Sequence, residues 1–196
     1  APAEADLPSI AVLPFVNISD DAANEYFADG LSEELLNVLS KIRGLRVASR
    51  TSAFSFKGVQ VDIPTAARKL NVATILEGSV RKAGSRVRIT AQLVHVATDS
   101  HLWSQTYDRE LEDIFAVQDD IAHAVVTEMR GALMREGSAA PGSAQVTAEV
   151  QSAVKGRSRN AEAYRLHLQG SFFTNRYNEE DTTKAIGYFH RAVELD

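Results

Sequence analysis

The residues best placed to do chemistry are carboxylates. Asp20, Asp21, Glu25 and Asp29 fall within the stretch NISDDAANEYFADG. Their oxygens would suit a hard cation such as Ca²⁺, but a calcium loop of the EF-hand kind needs ligands at alternate positions around a turn glycine, and this spacing lacks that pattern. A solvated loop that carries negative charge into a helix start is the favoured reading. His95 and His101 flank a turn at Thr98 and could meet on adjacent strands, yet no third ligand is indicated, so two exposed strand histidines are favoured over a metal site. Ser79 and Ser104 have no accompanying His and Asp pattern and no nucleophile elbow, and neither GxxxxGK[ST] nor GxGxxG occurs. The expectation is therefore no catalytic residue, no metal and no cofactor within this stretch, with any enzymatic domain joined upstream. Trp103 and Tyr107 share one strand face and could form a ligand platform, although aromatics on a covered sheet more often belong to the core.

Charge is distributed unevenly. From Lys41 to Arg88 there are eleven Lys and Arg against two acids, whereas the rest of the 196-residue chain is acidic and the whole carries −5. Arg81, Lys82, Arg86 and Arg88 bracket one hairpin turn and are the candidate anion-binding residues. Three other readings stay open: the acidic amino-terminal forty residues pair with the basic middle, the charged faces are simply solvated, or the cations keep an exposed sheet from pairing with another copy. Nucleic acid is not expected, because the chain is net acidic and lacks an aromatic-rich RNA-binding signature.

These residues need elements to hold them. Composition is that of an ordinary globular chain, 44% hydrophobic and 24% charged. There are no cysteines, so disulfides and thiolate sites are excluded. No apolar run approaches the roughly 20 residues of a membrane span. The opening APAEADLP has neither the basic nor the apolar region of a signal peptide, and its lack of Met suggests a processed protein or a fragment. Ser9 to Phe15 is a short apolar run suited to a strand buried on both faces. Ser32 reads as the N-cap of a first helix that carries Leu35, Leu36, Leu39 and Ile42 and ends at Gly44. Leu45 to Ala48 is a second strand. After a loop, RTSAFSFKGVQV, Asp62 and Pro64 open a helix that Asn71 closes.

From Thr74 to Tyr107 three strands follow one another through short turns, with Gly84 supplying a positive φ in the first. Leu76, Gly78 and Val80, then Val87, Ile89, Ala91 and Leu93, fall on one face at a period of two. Phe115 to Arg135 is an amphipathic helix with Val117, Ile121, Val125, Met129 and Leu133 in a stripe. The fold class is α/β: a mixed sheet of two β-α-β units plus an antiparallel meander, in the order β-α-β-α-β-β-β-α, followed by an α-helical hairpin. The expected division is a tail over 1–7, the α/β domain over 8–136, a flexible linker over 137–158 and the helical unit over 159–196.

Four segments, SIAVLPFVN from Ser9, EYFADGLSEEL from Glu25, ILEGSVRKAGSRVRITAQLV from Ile75 and HLWSQTYDRELEDIFAVQDDIA from His101, together resemble the TolB-like amino-terminal domain, related to FlgO and found in bacterial regulatory proteins. The resemblance covers about three-fifths of the chain. It implies a regulatory or scaffolding module, standing before tetratricopeptide repeats and behind a membrane helix joined to a nucleotide cyclase or a winged-helix DNA-binding domain. The alternative it leaves is a ligand- or anion-sensing domain controlling such an effector. The resemblance further implies the soluble part of a membrane-tethered protein, with the extracytoplasmic side favoured. Leu166, Gly170, Phe173, Ala185, Phe189 and Ala192 resemble the small and large positions of one tetratricopeptide repeat, with a longer turn than usual around Asn178 to Thr182 and no further repeat, so a truncated array is expected. In that family the groove residues would be His167, Ser171, Thr174 and Asn175, and the partner a protein or peptide.

Overall fold

The computed structural model describes residues 7–134, 143–155, 160–176 and 178–196. Strand β1 (Ser9–Val12) has all four residues buried, with Ile10, Ala11 and Val12 fully so. It lies between β3 (Arg46–Val47) and β4 (Thr74–Ala83), parallel to both. The continuous apolar run thus does what it predicts. Ile10 and Val12 enter the main core, and Ala11 enters a second cluster on the other face. A two-residue strand, β2 (Val16–Asn17), adds parallel to the middle of β4. Strands β5 (Arg86–His95) and β6 (Ser100–Glu110) extend the sheet as an antiparallel meander, giving the order β3-β1-β4-β5-β6. Gly84 turns β4 into β5 at φ +59°, and Leu76, Val80, Val87, Ile89, Ala91 and Leu93 are all buried on the expected face.

Helix α1 (Glu25–Ser40) corrects the reading at Ser32. It begins about two turns earlier, continuing a 3₁₀ turn whose cap is Asp21. Ser32 is mid-helix and fully buried; its Oγ accepts the Phe15 N–H at 2.8 Å and donates to the Ala28 carbonyl at 2.8 Å. Tyr26, Phe27, Ala28, Leu31, Leu35, Val38 and Leu39 are its buried stripe, and that packing overrides the turn-like local sequence Asp29-Gly30. Gly44 is left-handed at φ +74°, but four residues past the end of α1. Within the expected loop lies a short helix, α2 (Arg50–Phe54), capped by Ser49. Asp62 caps α3 (Ile63–Leu70), and Asn71 closes it at φ 54°, as its sequence predicts.

The two faces of the sheet are covered differently. On one, α1 and α4 (Ile114–Met134) pack over the full width, with Val117, Ile121, Val125 and Met129 buried. On the other, α3 covers only the β1 end, through Ala66, Ala67 and Leu70 against Ala11 and Ile75. The middle of β4 and β5 on that side is left to polar residues.

The connector expected over 137–158 is largely replaced by α5 (Ser143–Ala153), while its ends at 137–142 and 156–158 lie outside the described residues, as do Ala1 to Asp6 and the Leu133 side chain. Val146, Val150 and Ala153 are buried in the main core, a three-residue apolar stripe too short to stand out among Ser, Ala and Gln. His123 Nε2 lies 3.1 Å from Thr147 Oγ1, Arg130 pairs with Glu149, and Lys41 Nζ donates to the Ala153 carbonyl at 3.0 Å. Helices α6 (Ala161–Thr174) and α7 (Glu179–Leu195) form the closing hairpin, capped by Asn160 and Asn178. A Cβ on Gly170 would meet the Phe189 ring at 2.5 Å, so this glycine sets the closeness of the hairpin.

Candidate functional site

The open side of the meander carries a cavity of about 740 Å³, within the roughly 300–1,000 Å³ of ligand pockets. Its floor is Glu77, Ser79, Thr90 and Gln92, because these positions alternate with the core-facing Leu76, Val80, Ile89, Ala91 and Leu93. Glu77 and Gln92 stand directly opposite each other across the strand pair, as do Ser79 and Thr90. The wall is the loop from Phe56 to Val61, together with Leu13, Val16 and Ile63. Val16 and Val59 are more than half exposed at the mouth. Lys57 fixes the loop to α1, its ammonium 2.9 Å from Glu25 and 2.5 Å from Asp29.

Burial pushes the Glu77 carboxyl up, with His101 acting in the other direction. It also pushes up Asp29, although the Lys57 ammonium opposes this, and Asp29 Oδ1 is buried without a hydrogen-bond partner. The four carboxylates of the amino-terminal stretch therefore serve different ends: Asp21 caps a turn, Glu25 and Asp29 hold Lys57, and Asp20 is exposed. The pairs Lys57 to Glu25 and Asp29, and Arg50 to Glu33, join the basic middle of the chain to its acidic beginning, one of the alternatives left open by the charge pattern.

Of the candidate anion-binding residues, Arg86 and Arg88 converge, but on a carboxylate: their Nη2 atoms lie 3.0 and 2.6 Å from Asp108 across the β5–β6 pair. This holds Asp108 below the usual carboxylate range. Arg81 stands opposite Arg88 and points its Nε at the Ile18 carbonyl, 3.4 Å away, while Lys82 donates its backbone N–H to Ser19. His95 Nδ1 lies 2.9 Å from Thr98 Oγ1, and His101 pairs in register with Val94, one place away from His95. Tyr107 is buried opposite Ile89, and Trp103 is partly buried opposite Leu93.

The four candidate partner residues on α6 divide. Ser171 and Asn175 line a small pocket of about 270 Å³ against α1 and α2, with Asp29, Glu33, Arg50 and Phe172. His167 lies in another, of about 280 Å³, between Tyr164 and the end of α7, with its ring 5.7 Å from that of Phe189. Thr174 is exposed and donates its hydroxyl to the Gly170 carbonyl. Sequence reasoning did not find the cavity. Its one legible signal was Glu77 at an outward position of β4; the loop that roofs it carries no periodic pattern.

Residues 5–124 match the family described as HilA/YgeH-like transcriptional regulator, second domain. The chain belongs to this family. The matched stretch contains all four segments that carry the TolB-like resemblance, and ends before α5 and the hairpin. A relative from Rhizobium meliloti (strain 1021), named putative adenylate cyclase 3, is 40% identical over 190 residues, 96% of this chain. The chain spans 30% of that relative's length. Among solved structures, TolB from Acinetobacter baumannii aligns with a TM-score of 0.48 and 15% identity, covering 64% of this chain and 29% of TolB. The LpoB C-terminal domain from Salmonella enterica aligns with a TM-score of 0.42 and 17% identity, over 53% and 82% of the respective chains. Among the described residues, no helix is long and apolar enough to cross a membrane.

Proposed function

We propose that this chain is a non-catalytic regulatory module that binds protein through its helical hairpin and controls an effector joined to it. The observation that carries the reading is the free face of α7, where Ile186 and Val193, seven residues apart and so on one side of the helix, are 52 and 75% exposed, while Ala185 and Phe189 pack towards α6. An apolar face one helix wide suits an amphipathic helix laid along it. Beside it, His167 opens the pocket next to Val193, and Ser171, Thr174 and Asn175 continue along α6 at helical spacing with groups that can hydrogen-bond a peptide. The close Gly170–Phe189 contact supports reading the hairpin as a tetratricopeptide repeat, and the occupant of the α7 face as the first helix of a following repeat. The names of the relatives support a transferable regulator, since one is called an adenylate cyclase and the family a transcriptional regulator. Two differently named settings for one kind of domain support a module that regulates chemistry supplied by a neighbouring domain.

The test is Ile186→Glu with Val193→Glu in the protein where this chain is joined to its effector. Both sites are exposed, so the chain itself should lose no more than about 0.5 kcal/mol. Regulated effector output, cyclic-nucleotide synthesis where the effector is a cyclase, should be lost. Unchanged regulation would overturn the reading.

A further inference from the structure

The cavity on the open sheet face holds a carboxylate whose charge is opposed only through space, by His101, and by no direct ion pair among the described residues. Glu77 is partly buried on the cavity floor, and among the described residues no hydrogen bond or ion pair reaches its carboxylate. The cation that also lines the cavity, Lys57, is committed to Glu25 and Asp29. Around Glu77 stand an amide and two hydroxyls, from Gln92, Ser79 and Thr90, and above them apolar walls from Leu13, Phe56, Val59 and Ile63. A partly desolvated carboxylate costs free energy that a hydrogen-bonded cation recovers. The geometry points to a binding site for an organic cation: an ammonium or guanidinium group on a short aliphatic body, the head at Glu77 and the body against the loop wall.

Anions are disfavoured there by Glu77. The site thus differs in sign from the arginine hairpin, whose guanidinium groups already hold Asp108. A second cationic group on the ligand gains no partner from Glu25, whose carboxylate already holds the Lys57 ammonium. The same head group could come from a free metabolite or from a lysine or arginine side chain of a protein. This inference rests on the cavity alone and is independent of the α7 face.

The experiment is an amide chemical-shift titration of the whole chain with butylammonium, with agmatine, and with a blocked Gly-Lys-Gly tripeptide; butyrate serves as the anionic control. Butylammonium is expected to move the amides of Glu77, Ser79, Thr90 and Gln92, and to bind at least as well as agmatine. Glu77→Gln should weaken binding tenfold or more without lowering the melting temperature, since it removes a partly buried charge that no hydrogen bond or ion pair among the described residues holds. Val59→Lys, at the exposed mouth, should weaken it severalfold and threatens no core contact. Binding by the tripeptide but not by the free amines would assign the head group to a protein side chain in the same site. No shift with any cation at millimolar concentration, or equal affinity in Glu77→Gln and wild type, would overturn the site.

Discussion

Tyr107 shows how one side chain reports its surroundings. Its ring is almost wholly buried opposite Ile89, and its pKa is pushed up from 10.0 to about 12, chiefly by burial, with the Asp120 charge adding and Arg109 opposing. The folded-state pKa lies above the unfolded one, so the unfolded chain gives up this proton first. The contribution to stability is accordingly intact below about pH 10 and is lost as pH rises through about 12. Urea unfolding of wild type and Tyr107→Phe across this window should show a stability difference that is flat below pH 10 and shifts against wild type above it. A difference independent of pH would show that the phenol is not shielded in the folded state. Glu77 is the opposite kind of residue: its burial serves no internal partner, which is why its removal should not cost stability.

At the scale of elements, the meander depends on a close approach that only glycine permits. Gly78 sits in β4 opposite Ala91, and a Cβ there would be driven into the Thr90 carbonyl oxygen and, at 2.5 Å, into the Phe15 ring. The first is backbone and has no rotamer by which to escape. Gly78→Ala should therefore destabilise by about 1–3 kcal/mol, the range for overpacking a filled site, and read as a lowered denaturant midpoint. Gly58→Ala offers a contrast: it meets no atom within 4 Å and is strained only by its φ of +70°. A midpoint unchanged in Gly78→Ala would mean that β4 and β5 are less tightly paired than their ten-residue register implies. Much of this element was legible, because strand period and turn glycine are local properties. The closeness at Gly78 was not, since it depends on where Phe15 packs.

For the whole molecule, the central fact is that the hairpin and the sheet share one core. Tyr164 and Leu168 of α6 lie in the same buried cluster as Phe27, Leu31 and Ile121. Gln118 Nε2 donates to the Tyr164 hydroxyl at 2.6 Å, and a Cβ on Gly30 of α1 would strike the Leu168 side chain. Helix α6 is thereby held between α1 and α7. Leu168→Asp places a carboxylate in this layer at a cost of several kcal/mol, against the roughly 5–15 kcal/mol that holds a domain together. It should lower the melting temperature of the sheet as well as the hairpin, in one transition seen alike by circular dichroism and by Trp103 fluorescence. Two separate transitions, with only the helical signal shifted, would show that the two parts fold independently and would support the expected boundary near residue 137.

What the sequence determined by itself was whatever repeats over a few residues: the doubly buried run at β1, the alternation of β4 and β5, the Asp62 cap and Asn71 stop of α3, and the stripe of α4. These are read from periods of 2 and 3.6 and from backbone preferences, which act within a few bonds. Tertiary structure alone decided that Ser32 lies mid-helix, because its hydroxyl is satisfied by Phe15 from 17 residues away. It decided that Gly30 is a packing surface for Leu168, that α5 covers the core, and that Asp108 occupies the arginine hairpin. It also decided that a loop without periodicity closes over Glu77, because a cavity is made by elements distant in sequence and no local pattern records which of them will meet.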